Sequence, residues 1–321
     1  MATIEQTPQL LRDQYLSDER PWVVAYSGGK DSTLVLQLVF ELLLDLGSAA
    51  KKPVFVLSSD TRVEAPNVAR YVHESLGNIE HAARSRNLNL HTRLVFPAPE
   101  EGYWSKMIGR GYPPPSRWFR WCTSNMKIRP SRRGIEDITR EYGSVILLLG
   151  SRLDESSARS QSIQSHINNE KGLNPHHEIP NALVFKPIVD WSTDQVWEYL
   201  YTVQPAWGGT HDELIRLYRQ ANGGECPVVL DLNTPSCGGS RFGCWTCTVV
   251  KQDKSMEGFI AGGEESMIPL NELRGCLISY RDAPGMRSNI KRDDRQGHGP
   301  FTPDVRRAIL RDLLETERRH G

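Results

Sequence analysis

The segment PWVVAYSGGKDSTLVLQLVFELLLDLG, residues 21–47, constrains this chain more than any other. A short β-rich run stops at a Gly-Gly-Lys-Asp-Ser turn and continues into a strongly apolar helix that ends at Gly47. The theme returns downstream. PVFVLSSD (53–60) reads as a second buried strand with an acid at its C-terminal end, and NVARYVHESLGNIEHAARSR as a helix. LNLHTRLVFP supplies a third strand and SVILLLGSR (144–152) a fourth. Apolar strands alternating with amphipathic helices predict an α/β fold, a parallel sheet with helices on both faces and sites at the strands' C-terminal ends. Beyond about residue 205 strand periodicity is lost. A helix over THDELIRLYRQA leads into a glycine- and cysteine-rich stretch from Gly223 to Cys247. The expected division is therefore a nucleotide-type domain over 1–205 and a cysteine-rich, helical region over 206–321. The final helix, TPDVRRAILRDLLETERRHG, carries Thr302 as N-cap and Pro303 at its first position, and reads as a packing helix.

With 321 residues the chain can bury a substantial core. Lys plus Arg and Asp plus Glu are each 39, so net charge announces neither a nucleic-acid nor a membrane partner, and any such surface is local. The N-terminus lacks a signal peptide's basic start and apolar run, and no stretch approaches the ~18 apolar residues of a membrane span. A cytoplasmic protein with no membrane partner is expected. Six cysteines are sparse for a disulfide-stapled secreted fold, and a reducing cytosol favours thiolates used in metal or sulfur chemistry.

Three local features carry chemistry. At the glycine turn, Ser27, Gly28, Gly29, Lys30, Asp31 and Ser32 meet a helix N-terminus, where exposed N–H groups, two hydroxyls and an ammonium suit a phosphate. The spacing is neither the G-x-x-x-x-G-K-[ST] loop nor the dinucleotide G-x-G-x-x-G. Between Glu101 and Glu136 there is no acid, while Arg110, Arg117, Arg120, Arg129, Arg132 and Arg133 are interleaved with aromatic residues. That combination suits a polyanion larger than a nucleotide, though a solvated charge run beside core aromatics fits as well. Cys122 sits among these guanidiniums, which predicts a depressed thiol pKa. Finally Cys226, Cys237, Cys244 and Cys247 fall in one glycine-rich window, a thiolate set that suits zinc or an iron-sulfur cluster alike, while Cys276 reads as an unliganded thiol.

SGGKDS resembles the PP-loop of the ATP pyrophosphatases, which cleave ATP to AMP and pyrophosphate while adenylating a substrate. SDTRVEAPNV and GSRLDESSAR (150–159) are similar to the corresponding segments of phosphosulfate reductases. The resemblance implies that Asp60, Thr61 and Glu64 at the top of the second strand, and Gly150, Arg152, Glu155, Ser156 and Arg159 at the top of the fourth, face the cleft. There an arginine would hold a polyphosphate bidentately and acids would hold Mg2+. WCTSNMKIRPS followed by a distant C-x-x-C is similar to assimilatory sulfonucleotide reductases, whose cysteines at those places ligate a 4Fe-4S cluster.

GYPPP, PIVDWSTDQVWEYL, ECPVV and TPSCGGSRFGCWTCTVVKQDKSMEGF resemble the DndC/SspD-type DNA phosphorothioation proteins over nearly the whole chain. That resemblance implies ATP held on Ser27–Ser32, adenylation of a DNA phosphate oxygen, and displacement of AMP by sulfur from a cysteine desulfurase, alongside other proteins of the phosphorothioation system. Lys30, Asp31, Arg152 and Cys122 become the implied catalytic groups. Four of Cys122, Cys226, Cys237, Cys244 and Cys247 would ligate the cluster. Three rivals stay open: a sulfonucleotide reductase, whose C-terminal redox cysteine would be missing because none follows Cys276; a tRNA thiolation enzyme; and a zinc-stapled nucleic-acid-binding module without catalysis.

Overall fold

The computed structural model describes residues 4–155, 172–221 and 242–321. Six strands among them form one sheet: β1 (Trp22–Ala25), β2 (Val54–Ser59), β3 (Leu90–Val95), β4 (Val145–Leu148), β5 (Leu173–Pro175) and β6 (Ala182–Phe185). Their spatial order is β3-β2-β1-β4-β6-β5, parallel throughout except for the antiparallel edge strand β5. The expected α/β architecture is present, and the first four strands form where the apolar runs lie. β5 and β6 extend the sheet beyond the four strands expected from sequence.

The strands are apolar on both sides because both faces are covered. Trp22 and Val24 of β1, Val54 and Val56 of β2, and Ile146 and Leu148 of β4 enter one core, with helices α1 (Thr7–Leu16), α2 (Lys30–Leu46), α3 (Pro66–Ser85) and α5 (Thr193–Thr202). The intervening Val23, Phe55 and Val145 enter a second core under α4 (Arg129–Tyr142), through Ile135 and Ile138. The segment Lys30–Ala49, α2 and the turn after it, is long and apolar enough by composition to cross a membrane, with a mean hydropathy of 1.5. This corrects the expectation that no stretch approaches a span. Here Leu34, Leu36, Val39 and Phe40 are fully buried in the first core.

A third core joins α7 (Lys254–Ala261), α8 (Ile268–Asp282) and α9 (Pro303–His320) to Tyr103, Met107, Trp121 and Met126 from the acid-free run, and to Val63, Ala65 and Val68 beyond β2. The helix α6 (Asp212–Ala221) serves two cores, with Leu214 and Tyr218 in the first and Leu217 and Ala221 in the third. Pro303 opens α9 as expected, but the Thr302 side chain makes no capping hydrogen bond.

His211, just before α6, is 6% exposed, and burial pushes its pKa down to about 4, with Asp212 opposing the shift. The unfolded chain takes up this proton below the ordinary value of 6.5 while the folded chain does not, so the stabilisation is complete above 6.5 and is lost as pH falls toward 4. Urea unfolding is expected to show about 2 kcal/mol of stability lost between about pH 7 and pH 5 that a His211→Phe variant does not lose. Equal pH sensitivity in the two proteins would contradict it.

Candidate functional site

The sheet order reverses at β1: β2 and β3 lie to one side and β4 to the other, so the C-terminal ends of β1 and β4 open a crevice. A cavity of about 480 Å3 occupies it, within the size range of small-molecule sites, and the glycine turn and the Gly150 segment form part of its wall. Two glycines make this wall possible. Gly28 has φ +71°, and a Cβ there would lie 2.5 Å from the Val72 side chain. At Gly150 a Cβ would lie 2.8 Å from the Asp31 backbone, so only glycine lets the β4 end abut the α2 N-terminus.

The turn is tied to itself by its hydroxyls. Ser32 Oγ donates to the Gly29 carbonyl at 2.9 Å, accepts from the Ser27 N–H at 3.2 Å, and lies 3.1 Å from Ser27 Oγ. The Lys30 N–H donates to the Tyr218 hydroxyl at 3.2 Å, which brings α6 against the turn. Lys30 Nζ meets Asp31 Oδ2 at 2.8 Å, and Arg152 Nε donates to Asp31 Oδ1 at 2.7 Å. The rest of the Arg152 guanidinium donates at 3.0 Å each to the Trp191 carbonyl and Thr193 Oγ1. Arg152 borders the cavity but is 1% exposed, and the bidentate phosphate grip expected of it is instead a brace that fixes Asp31, and through it Lys30. Glu155 closes a short turn, Leu153–Glu155, after it.

The second-strand residues divide. Glu64 lines the cavity, with Lys127 3.8 Å away; burial pushes its carboxyl above the ordinary range and Lys127 opposes this. Asp60 and Thr61 turn aside from the cavity where the expectation had them facing it. Asp60 accepts from the Arg62 N–H at 2.6 Å and meets His73 at 2.9 Å. Thr61 Oγ1 lies 3.4 Å from the sulfur of Cys244. Backbone pairing fixes that contact: Glu64 bridges Cys244, and the Trp245 N–H donates to the Val63 carbonyl at 3.0 Å.

Cys122, Cys244 and Cys247 gather in one region. All three act electrostatically on the buried Tyr103, whose hydroxyl donates to the Thr246 carbonyl at 3.1 Å. Cys122 precedes a π-helical turn, Thr123–Ile128, that also carries Lys127 to the cavity. Burial pushes the Cys122 thiol up, and the nearby Cys247 adds to the shift, which corrects the depressed pKa expected from its arginine neighbours in sequence. Burial raises Cys244 likewise, against Lys127. No three Cys, His, Asp or Glu side chains among the described residues are grouped to hold a metal ion. An iron-sulfur cluster binds each thiolate to a different iron and needs a wider spacing than one ion does. Cys122 and Cys244 pack against the aromatic cluster of Tyr103, Trp104, Trp121 and Trp245, and soft thiolates of this kind are the ligands such a group takes. Cys226, Cys237, Ser156 and Arg159 lie outside the described residues. Cys276 is exposed on α8.

The acid-free run folds so that its flanking acids return to it. Glu101 pairs with Arg129 at 2.5 Å and Arg133 at 3.4 Å, and Glu136 with Arg132 at 2.7 Å. Arg110, Arg117 and Arg120 stay exposed. Sequence reasoning missed Tyr218, Lys127, Phe242 and Gly243 as cavity residues. Tyr218 stands 188 positions from the backbone amide it meets, and no local signal foretells that contact.

Two uncharacterized proteins of Methanocaldococcus jannaschii are 30% identical over 192 residues (59% of this chain, 33% of that protein) and 26% identical over 177 residues (55% and 35%). The chain thus spans about a third of the length of the curated relatives it matches. Solved structures similar to it include a phosphoadenylyl-sulfate reductase from Candida auris, 16% identical, covering 63% of this chain and 87% of that one with a TM-score of 0.38. A U34-tRNA thiolase, NcsA, from Methanococcus maripaludis, described with its 4Fe-4S cluster, is 11% identical and covers 87% and 78%, with a TM-score of 0.40. The phosphoadenosine phosphosulfate reductase domain matches residues 21–250, a span that holds the sheet, the glycine turn and the three gathered thiols, and the chain belongs to that family.

Proposed function

We propose that the protein is an adenylating sulfurtransferase of the DndC/SspD type, acting on the phosphate backbone of DNA. The observation that carries this reading is a shared wall. Glu64 and Gly243 line the cavity of the glycine turn, and Cys244, next in sequence, is held to that wall by Thr61 and by backbone pairing with Glu64. A thiol region beside a phosphate-binding cavity is the arrangement that oxygen activation followed by sulfur delivery needs.

In the first step a non-bridging oxygen of the DNA phosphate attacks the α-phosphorus of ATP, and pyrophosphate leaves with the electron pair of the broken P–O bond. The N-terminal amides of α2 and the Lys30 ammonium hold the charge that develops on it. The Arg152–Asp31 brace fixes Lys30, and Glu64 with Asp31 supplies the carboxylates for Mg2+ that enters with ATP. In the second step a sulfur nucleophile at the sulfide level attacks the DNA phosphorus and AMP departs, with no change of oxidation state. Where a cysteine desulfurase delivers the sulfur as a persulfide, its terminal sulfur forms the P–S bond; a second thiol then attacks the carrier cysteine's own sulfur, the S–S bond breaks with its electron pair on the phosphorus-bound sulfur, and the two cysteines are left as a disulfide for an external thiol to reduce. When bound to Cys122, Cys244, Cys247 and one of Cys226 and Cys237, a 4Fe-4S cluster would supply a place to carry sulfide. The fifth cysteine would be left for the thiol role.

Anaerobic purification with metal and sulfide analysis tests the reading. Iron and labile sulfide together with pyrophosphate release from ATP are expected; zinc without iron would replace the reading with a stapled nucleic-acid module. Cys244→Ser is expected to bleach the visible absorbance, and a protein that keeps its colour would remove Cys244 from the ligand set.

A further inference from the structure

Trp118 is 90% exposed at the tip of a tight turn in which Ser116 and Phe119 pair through their backbones, with N···O distances of 3.2 and 3.1 Å. Arg117 and Arg120 flank it, both exposed, and the Arg117 guanidinium lies 5.8 Å from the Trp118 ring centre. The indole stands in water beside the Arg117 guanidinium and is not part of the third core.

The turn does not stand alone. Phe119, beside Trp118, stacks on Tyr112 with ring centres 6.1 Å apart and planes at 13°. The Arg292 guanidinium covers Tyr112 at 4.4 Å and donates to the Arg110 carbonyl. Arg292 belongs to a hairpin running from Arg287 to Phe301, closed by the pairs Arg287–Phe301 and Ile290–Gln296. The hairpin is locked to the run by the Phe301 N–H donating to the Gly111 carbonyl at 2.7 Å. Gly111 adopts φ +67°, and a Cβ there would press on Phe301. On the hairpin Asp293 is taken up by Arg295. Arg110, Arg117, Arg120 and Arg292 make no ion pair among the described residues. The result is a mainly cationic surface from two distant segments, with one exposed aromatic face on it and the exposed Asp294 beside Arg292.

We propose that this surface binds an unpaired stretch of DNA strand, a base stacking on Trp118 while Arg110, Arg117, Arg120 and Arg292 meet the phosphates on either side. Stacking needs a base face that a continuous duplex keeps covered, so the surface selects a strand whose bases are splayed out. The partner rests on the DNA reading above; the surface does not depend on the chemistry of the cavity.

Fluorescence anisotropy with a labelled single-stranded oligodeoxynucleotide, and with its duplex, tests this on the full chain. Trp118→Ala is expected to weaken single-strand binding about tenfold or more with the salt dependence unchanged, and Trp118→Phe to restore most of it. Arg117→Ala and Arg120→Ala are each expected to lower the salt slope by nearly one. Single-strand binding unchanged in Trp118→Ala, or tighter binding of the duplex than of the single strand by the wild type, overturns the proposal. ATP binding measured without DNA separates the two readings: retained in Trp118→Ala whatever becomes of strand binding, and weakened in Lys30→Ala, it leaves the nucleotide role of the glycine turn standing when the surface fails. If Lys30→Ala loses strand binding as well, the strand is held in the cavity and the surface assignment falls.

Discussion

Replacing Lys30 by alanine is expected to lower pyrophosphate release from ATP by about 10^2- to 10^3-fold while leaving bound iron and the thermal midpoint close to wild type. The magnitude is that of removing one preorganised charge from a site that stabilises a developing anion. Two features keep the loss local. Lys30 sits in the first turn of α2, away from the thiol region, and its partner Asp31 retains the Arg152 guanidinium after the lysine is gone. Turnover within about tenfold of wild type would remove the ammonium from the chemistry and leave the turn as a structural βα junction.

Asp31→Ala is expected to cost more stability than either of its neighbours' replacements, about 3–5 kcal/mol in urea unfolding, together with loss of activity. The carboxylate joins two cations, and one of them, Arg152, is 1% exposed and, among the described residues, is held besides by the Trp191 carbonyl, Thr193 and Asp154 at 3.6 Å. Without Asp31 a buried guanidinium faces the cavity floor with its main counter-charge gone. Arg152→Met removes the buried charge itself and leaves Asp31 paired to Lys30, so its destabilisation is expected to be smaller. The reverse order, with Asp31→Ala the milder, would show that the brace is not what holds this corner together.

The part of the site that was legible in sequence is the part that is contiguous. Ser27 to Ser32 could be placed at a strand end and a helix start because the apolar runs on either side declare both elements, and Gly150 follows the fourth run in the same way. The reversal of strand order, which sets Gly150 against Asp31, was not among the expectations, because right-handed crossovers are satisfied by other strand orders as well. What else was not legible depends on where side chains turn. Arg152 reads as a phosphate ligand until the buried Trp191 carbonyl and Thr193 claim its nitrogens. Cys122 reads as an acidified thiol among arginines, but Arg117 and Arg120 point to solvent while Cys122 packs against the aromatic core, so desolvation sets its pKa. Arg129, Arg132 and Arg133 read as open cations because their acids, Glu101 and Glu136, stand at the edges of the run and return only on folding. Tyr218 and Gly243 come to the cavity from beyond the sheet, over distances no sequence window spans.

The central claim is that this cavity activates a DNA phosphate oxygen for replacement by sulfur. Mass spectrometry of nuclease-digested DNA and of tRNA nucleosides, from cells expressing the wild-type chain with its partner proteins and from cells expressing Lys30→Ala, tests it most directly. Dinucleotides heavier by the sulfur-for-oxygen difference are expected in wild-type DNA and absent with Lys30→Ala, with tRNA unchanged between the two. Unmodified DNA together with thiolated tRNA nucleosides that depend on Lys30 would contradict it.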